Sequence, residues 1–148
     1  MRIGIAGAGS VAFGTATLLH ANGQKAMLWS PSGAGTEALK DAPLRAMGAI
    51  EAEFSADIAD TAQDLAEGCD ALIIALPAYA HMAVMDALVP HIRDGQHVII
   101  SSHASMGAVY LAQALRERGV HAPITAWGTT VVTGRRQDET AVQVNTVR

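Results

Sequence analysis

The stretch that decides the fold lies at the amino terminus, where residues 2–12 read RIGIAGAGSVA. Residues 2–6 form a short apolar run that predicts a β-strand. Residues 10–23 follow with the pattern of a helix, for which Ser10 is the expected amino-terminal cap and Gly23 the stop signal. The chain therefore opens with a strand that enters a helix through a glycine-containing turn.

That turn matches the pattern G-x-G-x-x-[GA] through Gly7, Gly9 and Ala12, in the strand–turn–helix setting that predicts a dinucleotide-binding site. We expect Gly7 to make the tight turn, Gly9 to let a pyrophosphate approach the backbone, and Ala12 to keep the helix close to the sheet. The amides of Ser10 and Val11 would then point at the phosphates. The alternative is a tight turn that binds nothing.

Apolar runs and helical patterns alternate over the rest of the chain. Residues 69–77, CDALIIALP, form the strongest strand signal, and residues 96–105, QHVIISSHAS, form another. Runs that are apolar on both faces are typical of central strands in a parallel sheet covered by helices. We predict one α/β domain over residues 1–148, with a doubly wound, mainly parallel Rossmann sheet.

Two segments depart from this rhythm. Residues 36–49 are poorly periodic and are broken by Pro43, so we assign them no element. Residues 121–148 contain three β-rich pieces separated by turn residues. We expect them to add an antiparallel β-hairpin at the carboxy-terminal edge of the sheet, with its turn at residues 134–139.

Charge and cysteine content exclude several function classes. The 148 residues carry a formal net charge of −4 without a basic block, which gives no reason to expect a nucleic-acid or membrane partner. Cys69 is the single cysteine, so no internal disulfide can form. The histidines lack the spacing of metal ligands, so we expect no metal site. No secretory signal is recognised, and a cytoplasmic location is expected.

The end of the second predicted strand, AMLWSPSGAG at residues 26–35, bears on which dinucleotide is bound. Many such domains place an acidic residue here, where it binds the adenosine ribose and repels a 2′-phosphate. This chain has Ser30 and Ser32 instead, and no acidic residue before Glu37. Hydroxyl donors without that repulsion favour NADP as the cofactor, with NAD remaining possible. A Ser-Pro turn that contacts no ligand is the alternative.

Further candidates follow the later strands, because an open parallel sheet binds its ligand at the carboxyl ends of its strands. Leu76, Pro77 and Ala78 follow one strand, and His81 begins the next helix beside the expected cofactor. His103 follows the next strand, where a titratable ring could face the nicotinamide or a substrate. A loop histidine held by backbone hydrogen bonds is an equally good interpretation. No catalytic residue can be assigned.

Together the glycine turn, the segment ALPAYAH at residues 75–81 and the segment SSHASMGAVYLAQAL at residues 101–115 resemble the amino-terminal domain of the octopine/nopaline (opine) dehydrogenase family. That family shares its cofactor domain with 6-phosphogluconate, glycerol-3-phosphate and ketopantoate dehydrogenases or reductases. The resemblance implies reductive condensation of an amino acid with a 2-keto acid, with hydride from NADPH or NADH. A related reductase of the glycerol-3-phosphate or ketopantoate type, or a non-catalytic dinucleotide-binding module, is the alternative.

The resemblance also implies what lies outside this chain. In the family, the catalytic residues belong to a largely helical carboxy-terminal substrate domain, for which residues 1–148 contain no counterpart. We therefore expect a partner for this domain, either the missing substrate domain or a second subunit. An apolar patch around Trp127 would mark the docking surface, and it could join two copies of the chain in a homodimer.

Overall fold

The computed structural model describes residues 1–102 and 106–148 and contains a six-stranded, all-parallel sheet. The order of its strands is β5-β2-β1-β6-β7-β8. Their bounds are β1 (Arg2–Ala6), β2 (Lys25–Trp29), β5 (Asp57–Ile58), β6 (Ala71–Ile74), β7 (His97–Ile100) and β8 (Ile124–Ala126). The predicted Rossmann sheet is confirmed, and its strand order reverses next to β1, where such sheets bind their ligands.

In the described part of the chain, four α-helices cover this sheet: α1 (Ser10–Ala21), α2 (Ala62–Gly68), α3 (His81–Leu88) and α4 (Gly107–Glu117). Short 3-10 turns lie at Glu37–Lys40, Ala78–Ala80 and Val89–His91. Helix α2 is only seven residues long, and a capping box fixes its start. In that box Thr61 Oγ1 accepts from the amide of Asp64, while the Asp64 carboxylate accepts from the amide of Thr61, both at 3.0 Å.

A second sheet packs on the far side of α1, with the strand order β4-β3-β10-β9. Its strands are β3 (Leu44–Gly48), β4 (Ala52–Phe54), β9 (Val132–Arg136) and β10 (Ala141–Val147). The six consecutive residues 12–17 of α1 are all buried, so the helix is covered on every side. The main sheet can cover only one side of α1, and the second sheet covers the opposite side.

The carboxy-terminal hairpin forms, but it belongs to this second sheet instead of extending the main one. Its turn covers residues 137–140, slightly later than predicted. Strand β10 also pairs in parallel with β3, placing Ala141 opposite Arg45. The sequence did not predict β3, because Pro43 directly precedes it and one of its two partner strands, β10, is almost a hundred residues away. Such non-local pairing leaves no periodic signal within residues 36–49.

Two apolar cores result, one on each face of the parallel sheet. One core joins Leu72 and Ile100 of the sheet to residues of α2, α3 and α4, including Leu65 and Leu111. The other joins alternate sheet residues to α1 and the second sheet, with Phe13 completely buried at its centre. Both faces of the sheet are therefore covered by packed elements. This packing fixes the carboxyl ends of the parallel strands, where the candidate site lies.

Candidate dinucleotide-binding site

Gly7 occupies a backbone position that only glycine adopts readily, with φ of +144°. A Cβ atom at this residue would overlap the carbonyl group of Ala75, at the end of β6. The amide of Gly7 donates to the carbonyl oxygen of Trp29 at 2.8 Å. Gly7 thus makes the tight turn that the sequence predicts, and it lies in contact with the ends of the three neighbouring strands β2, β1 and β6.

Gly9 lies at the surface, and a Cβ atom at this residue would have no atom of the described residues within 4 Å. Its φ of −89° is open to any residue, so this glycine is not needed for the backbone conformation. A side chain at this position would fill the space in front of the backbone and would keep a ligand from approaching it closely. Gly9 therefore fits the predicted role beside a pyrophosphate.

No side chain of the described residues caps the amino terminus of α1. Gly9 occupies the capping position and its carbonyl accepts from the amide of Phe13 at 3.0 Å, whereas Ser10 is the first helical residue. The expectation that Ser10 caps the helix was therefore wrong, because the helix begins one residue earlier than a serine cap requires. The first amides of the helix are consequently open to an anionic ligand at this end.

A cavity of about 410 Å³ opens over the carboxyl ends of β1, β6 and β7. Six of the residues selected from the sequence line it: Gly9, Ser10, Val11, Leu76, Pro77 and Ala78. Gly7 and Ala12 are buried beneath it, where the built Cβ of Gly7 would lie 3.3 Å from the Cβ of Ala12. The structure thus brings the glycine turn and the loop after β6 to one cavity, and their contact with a dinucleotide stays a prediction.

Ser101, Ser102 and Thr130 also line this cavity, and the sequence analysis did not select them. The Oγ atom of Ser101 is buried and has no hydrogen-bond partner among the described residues. Ser102 has φ of +56°, the one non-glycine residue with positive φ among residues 1–102 and 106–148. A buried hydroxyl without a protein partner is available to a water molecule or to a ligand in the cavity. Only their position after β7 could have indicated the two serines.

His81 supports the site without lining the cavity. Its side chain is buried, and its Nε2 atom lies 2.9 Å from the carbonyl oxygen of Leu76. This hydrogen bond ties the start of α3 to the loop that borders the cavity. Direct contact between His81 and the cofactor stays a prediction. His103 lies outside the described residues, so its prediction stays untested as well.

Ser30 and Ser32 lie together in the loop after β2, with their Oγ atoms 3.3 Å apart. Ser30 is buried and Ser32 is exposed. Gly35 folds this loop onto the glycine turn, since a Cβ on Gly35 would lie only 2.6 Å from the Cβ of Ala8 and 2.8 Å from Oγ of Ser30. The loop is therefore placed beside the turn, at the end of the site where an adenosine ribose binds in such folds.

The nearby lysines are directed elsewhere. Lys40 pairs with the carboxylates of Asp60 at 2.9 Å and Glu37 at 3.1 Å. Lys25 begins β2, at the opposite end of that strand from Ser30. The basic group that does reach the loop is Arg136 of β9, whose Nη2 atom lies 3.4 Å from the carbonyl oxygen of Gly35. The sequence analysis missed it because 101 positions separate the two residues.

Three further features bear on metal binding, membrane insertion and thiol chemistry. Over residues 1–102 and 106–148, no three residues among His, Cys, Asp and Glu are grouped as metal ligands. In the same part of the chain, no helix is long and apolar enough to cross a membrane. Cys69 is buried, and this burial raises the pKa of its thiol to about 11. That shift keeps the thiol protonated at neutral pH, which is typical of a structural cysteine and not of a nucleophile.

The model of the ketopantoate reductase PanE/ApbA family matches residues 3–146. The chain belongs to this family. Because the matched region is nearly the whole chain, the glycine turn and the cavity belong to its NAD(P)-binding Rossmann domain. No curated protein sequence matches the chain significantly.

Solved structures support the same fold. A structure of octopine dehydrogenase with NADH and L-arginine has a TM-score of 0.85 at 16% identity, covering 100% of this chain and 40% of the other. A PanE/ApbA family ketopantoate reductase from Ralstonia eutropha JMP134 has a TM-score of 0.72 at 16% identity, with 99% and 47% covered. A structure of D-mandelate dehydrogenase with NADH and anilino(oxo)acetate has a TM-score of 0.75 at 19% identity, covering 99% of this chain and 46% of the other. The chain thus spans less than half the length of these proteins.

Proposed function

We propose that the chain binds NADPH as the cofactor domain of a reductase. The pyrophosphate would lie against the backbone of Gly9 and the first amides of α1. The adenosine 2′-phosphate would lie beside Ser30 and Ser32, and the nicotinamide in the cavity beside Leu76–Ala78 and Ser101. When bound, the nicotinamide ring supplies a hydride, while the protein contributes binding and orientation.

The single observation that carries this proposal is the open face of Gly9 over the cavity. Gly9 needs no special backbone conformation, and we propose that its missing side chain makes room for the pyrophosphate. The unpartnered hydroxyl of Ser101 adds a hydrogen-bonding group at the other side of the same cavity. The preference for NADPH rests on the loop after β2, where hydroxyl groups replace an acidic side chain that would repel a 2′-phosphate.

For the reaction, we propose reduction of the C=N bond formed from an amino acid and a 2-keto acid, as in opine dehydrogenases. The motifs of the sequence and the similarity to the octopine dehydrogenase complex support it. The second candidate is reduction of a keto group of the ketopantoate type, which the family match supports. In either case, we propose that the substrate-binding residues lie in a further domain or a second subunit.

Titration of the purified chain with NADPH and with NADH tests the proposal, followed by the fluorescence of Trp29 and Trp127. We expect both to bind and NADPH to bind more tightly, with an advantage that shrinks as the salt concentration rises. Equal affinities would contradict the NADPH preference alone. Absence of binding by either dinucleotide would contradict the cofactor-domain proposal.

A second assay addresses the reaction. The chain is mixed with NADPH and either pyruvate plus arginine or ketopantoate, and oxidation of NADPH is followed by absorbance. We expect the chain alone to bind NADPH without turning over either substrate mixture. Turnover by the chain alone would contradict the proposal that a further domain or subunit supplies the substrate-binding residues, and the substrate consumed would decide between the two reactions.

A further inference from the structure

Arg136 in β9 connects the two loops that border the adenosine end of the proposed site. Its Nη1 donates to the carbonyl of Ala8 at 2.9 Å, within the glycine turn. Its Nη2 lies 3.4 Å from the carbonyl of Gly35, in the loop after β2. These loops are otherwise joined by the close packing of Gly35 on Ala8. One side chain from the second sheet therefore holds both loops.

The remaining contacts of Arg136 fix its orientation. Its Nε donates to the carbonyl of Asp138 at 2.8 Å and its Nη2 to the carbonyl of Glu139 at 3.1 Å. The guanidinium carbon lies 4.9 Å from the centre of the Phe13 ring, a cation–π distance. Five groups from three parts of the chain thus surround a half-buried guanidinium, and only one of its five N–H groups has no acceptor among them.

None of these partners is a carboxylate. Among the described residues, Arg136 forms no salt bridge, because its hydrogen bonds go to backbone carbonyls. The nearest acidic side chain along the hairpin, Asp138, pairs with Arg45 at 3.0 Å and accepts from the amide of Thr140 at 2.7 Å. Arg135 is exposed on the same strand and makes no such contacts. Arg136 therefore has no carboxylate partner at salt-bridge distance among the described residues, and its positive charge lies beside the loop that carries Ser30 and Ser32.

We propose that Arg136 determines the preference for NADPH over NADH by placing a positive charge beneath the two loops that enclose the adenosine 2′-phosphate. Arg136 is a positioning residue. It holds the backbone of Ala8 and Gly35 by hydrogen bonds, and its positive charge attracts the 2′-phosphate electrostatically. This inference rests on the proposed function, since it concerns the same dinucleotide. Its chemical target is a phosphomonoester on the adenosine ribose, which NADPH has and NADH lacks.

A purely structural Arg136 would hold the glycine turn equally for both dinucleotides, since both contain the same pyrophosphate. A charge-selecting Arg136 would affect NADPH more than NADH, because the extra phosphate carries close to two negative charges at neutral pH. The interaction would also weaken with salt, because the site is partly exposed to solvent. The ratio of the two affinities therefore separates the two roles, whereas stability or the affinity for one dinucleotide does not.

The test uses three variants of the full chain. Arg136→Gln removes the charge, Arg136→Lys keeps the charge but lacks the planar set of donors, and Arg135→Gln removes a neighbouring exposed charge as the matched control. Dissociation constants for NADPH and NADH are measured at low and high salt, and thermal unfolding of each variant is recorded. We expect Arg136→Gln to reduce the NADPH:NADH affinity ratio on the order of tenfold at low salt.

The other outcomes are equally specific. Arg136→Lys should recover part of the ratio, and Arg135→Gln should leave the ratio and its salt dependence within about twofold of wild type. A proportional loss of both affinities in Arg136→Gln, with the ratio unchanged, would overturn charge selection. Charge selection by Arg136 would also be overturned if Arg135→Gln lowered the NADPH:NADH affinity ratio as much as Arg136→Gln does. If the wild-type chain binds neither dinucleotide, the proposed function fails first and this inference fails with it.

Discussion

The Cα atom of Gly7 faces the carbonyl group of Ala75 so closely that a Cβ atom on Gly7 would overlap it. Gly7 also has φ of +144°, which L-residues with side chains rarely adopt. The turn after β1 and the end of β6 are therefore fitted to each other by the absence of a side chain. This contact fixes the floor of the candidate site.

Replacement of Gly7 by alanine should lower the free energy of unfolding by about 3 kcal/mol or more, because backbone strain and steric overlap add. Urea denaturation followed by tryptophan fluorescence measures this loss. Gly23→Ala is the matched control, since Gly23 also has positive φ but open space where a Cβ would lie. We expect it to cost only about 1 kcal/mol. Equal costs for the two variants would contradict the close fit of Gly7 to Ala75.

An acidic residue in the loop after β2 should change the dinucleotide preference. Ser32→Asp places a carboxylate beside the proposed 2′-phosphate site, so the affinity for NADPH should fall on the order of tenfold while that for NADH is kept or increased. Equilibrium titration with both dinucleotides measures the change. Ser55→Asp adds the same charge at an exposed position near the opposite end of β2. A similar change of preference in both variants would indicate a general charge effect and contradict a specific role for Ser32.

The hydrogen bond of His81 should contribute to the shape of the loop after β6. His81→Ala removes the partner of the Leu76 carbonyl and leaves a cavity at a buried position. We expect a loss of about 2 kcal/mol in the free energy of unfolding and a weaker affinity for both dinucleotides by a similar factor. Chemical denaturation and titration measure the two effects. A variant with wild-type stability and affinity would show that this hydrogen bond does not maintain the site.

Cys69 gives a prediction for alkaline pH. Burial raises the pKa of its thiol from 9.0 to about 11, so the folded state keeps a proton that the unfolded state releases. The unfolded state binds fewer protons above about pH 9, and the contribution of Cys69 to stability should therefore decline between about pH 9 and 11. The difference in free energy of unfolding between wild type and Cys69→Ala should narrow over this interval. A constant difference would contradict the shift, and so would rapid reaction of the folded protein with a thiol reagent near neutral pH.

The parallel sheet and the glycine turn could be predicted from the sequence because their signals are local. The apolar strand before Leu76 and the glycine turn of residues 7–12 each occupy a few consecutive residues. The pattern of residues 10–23 also predicted α1, although the helix begins at Ser10 instead of being capped by it. The end of the helix near Gly23 was found because glycine there adopts positive φ.

The second sheet and part of the site depend on non-local contacts, which leave no such local pattern. Strand β3 is specified mainly by its pairing with β10, and Arg136 reaches Ala8 across most of the chain. Ser101 and Thr130 are common residue types whose position at the cavity follows only from the packed strands. The local signals of the second sheet were the predicted carboxy-terminal hairpin and α1, whose residues are apolar or small on all sides and therefore need to be covered on more than one side.

The most direct test of the central claim compares NADPH binding by wild type and Gly9→Val, with Gly128→Val as the control. Both glycines have open space where a Cβ would lie, but only Gly9 lines the cavity. We expect Gly9→Val to lose about 1 kcal/mol of stability or less and to bind NADPH at least about tenfold more weakly, as measured by titration calorimetry. Gly128→Val should bind as wild type does. Wild-type affinity in a folded Gly9→Val chain would contradict the account, because a pyrophosphate could not then lie against Gly9.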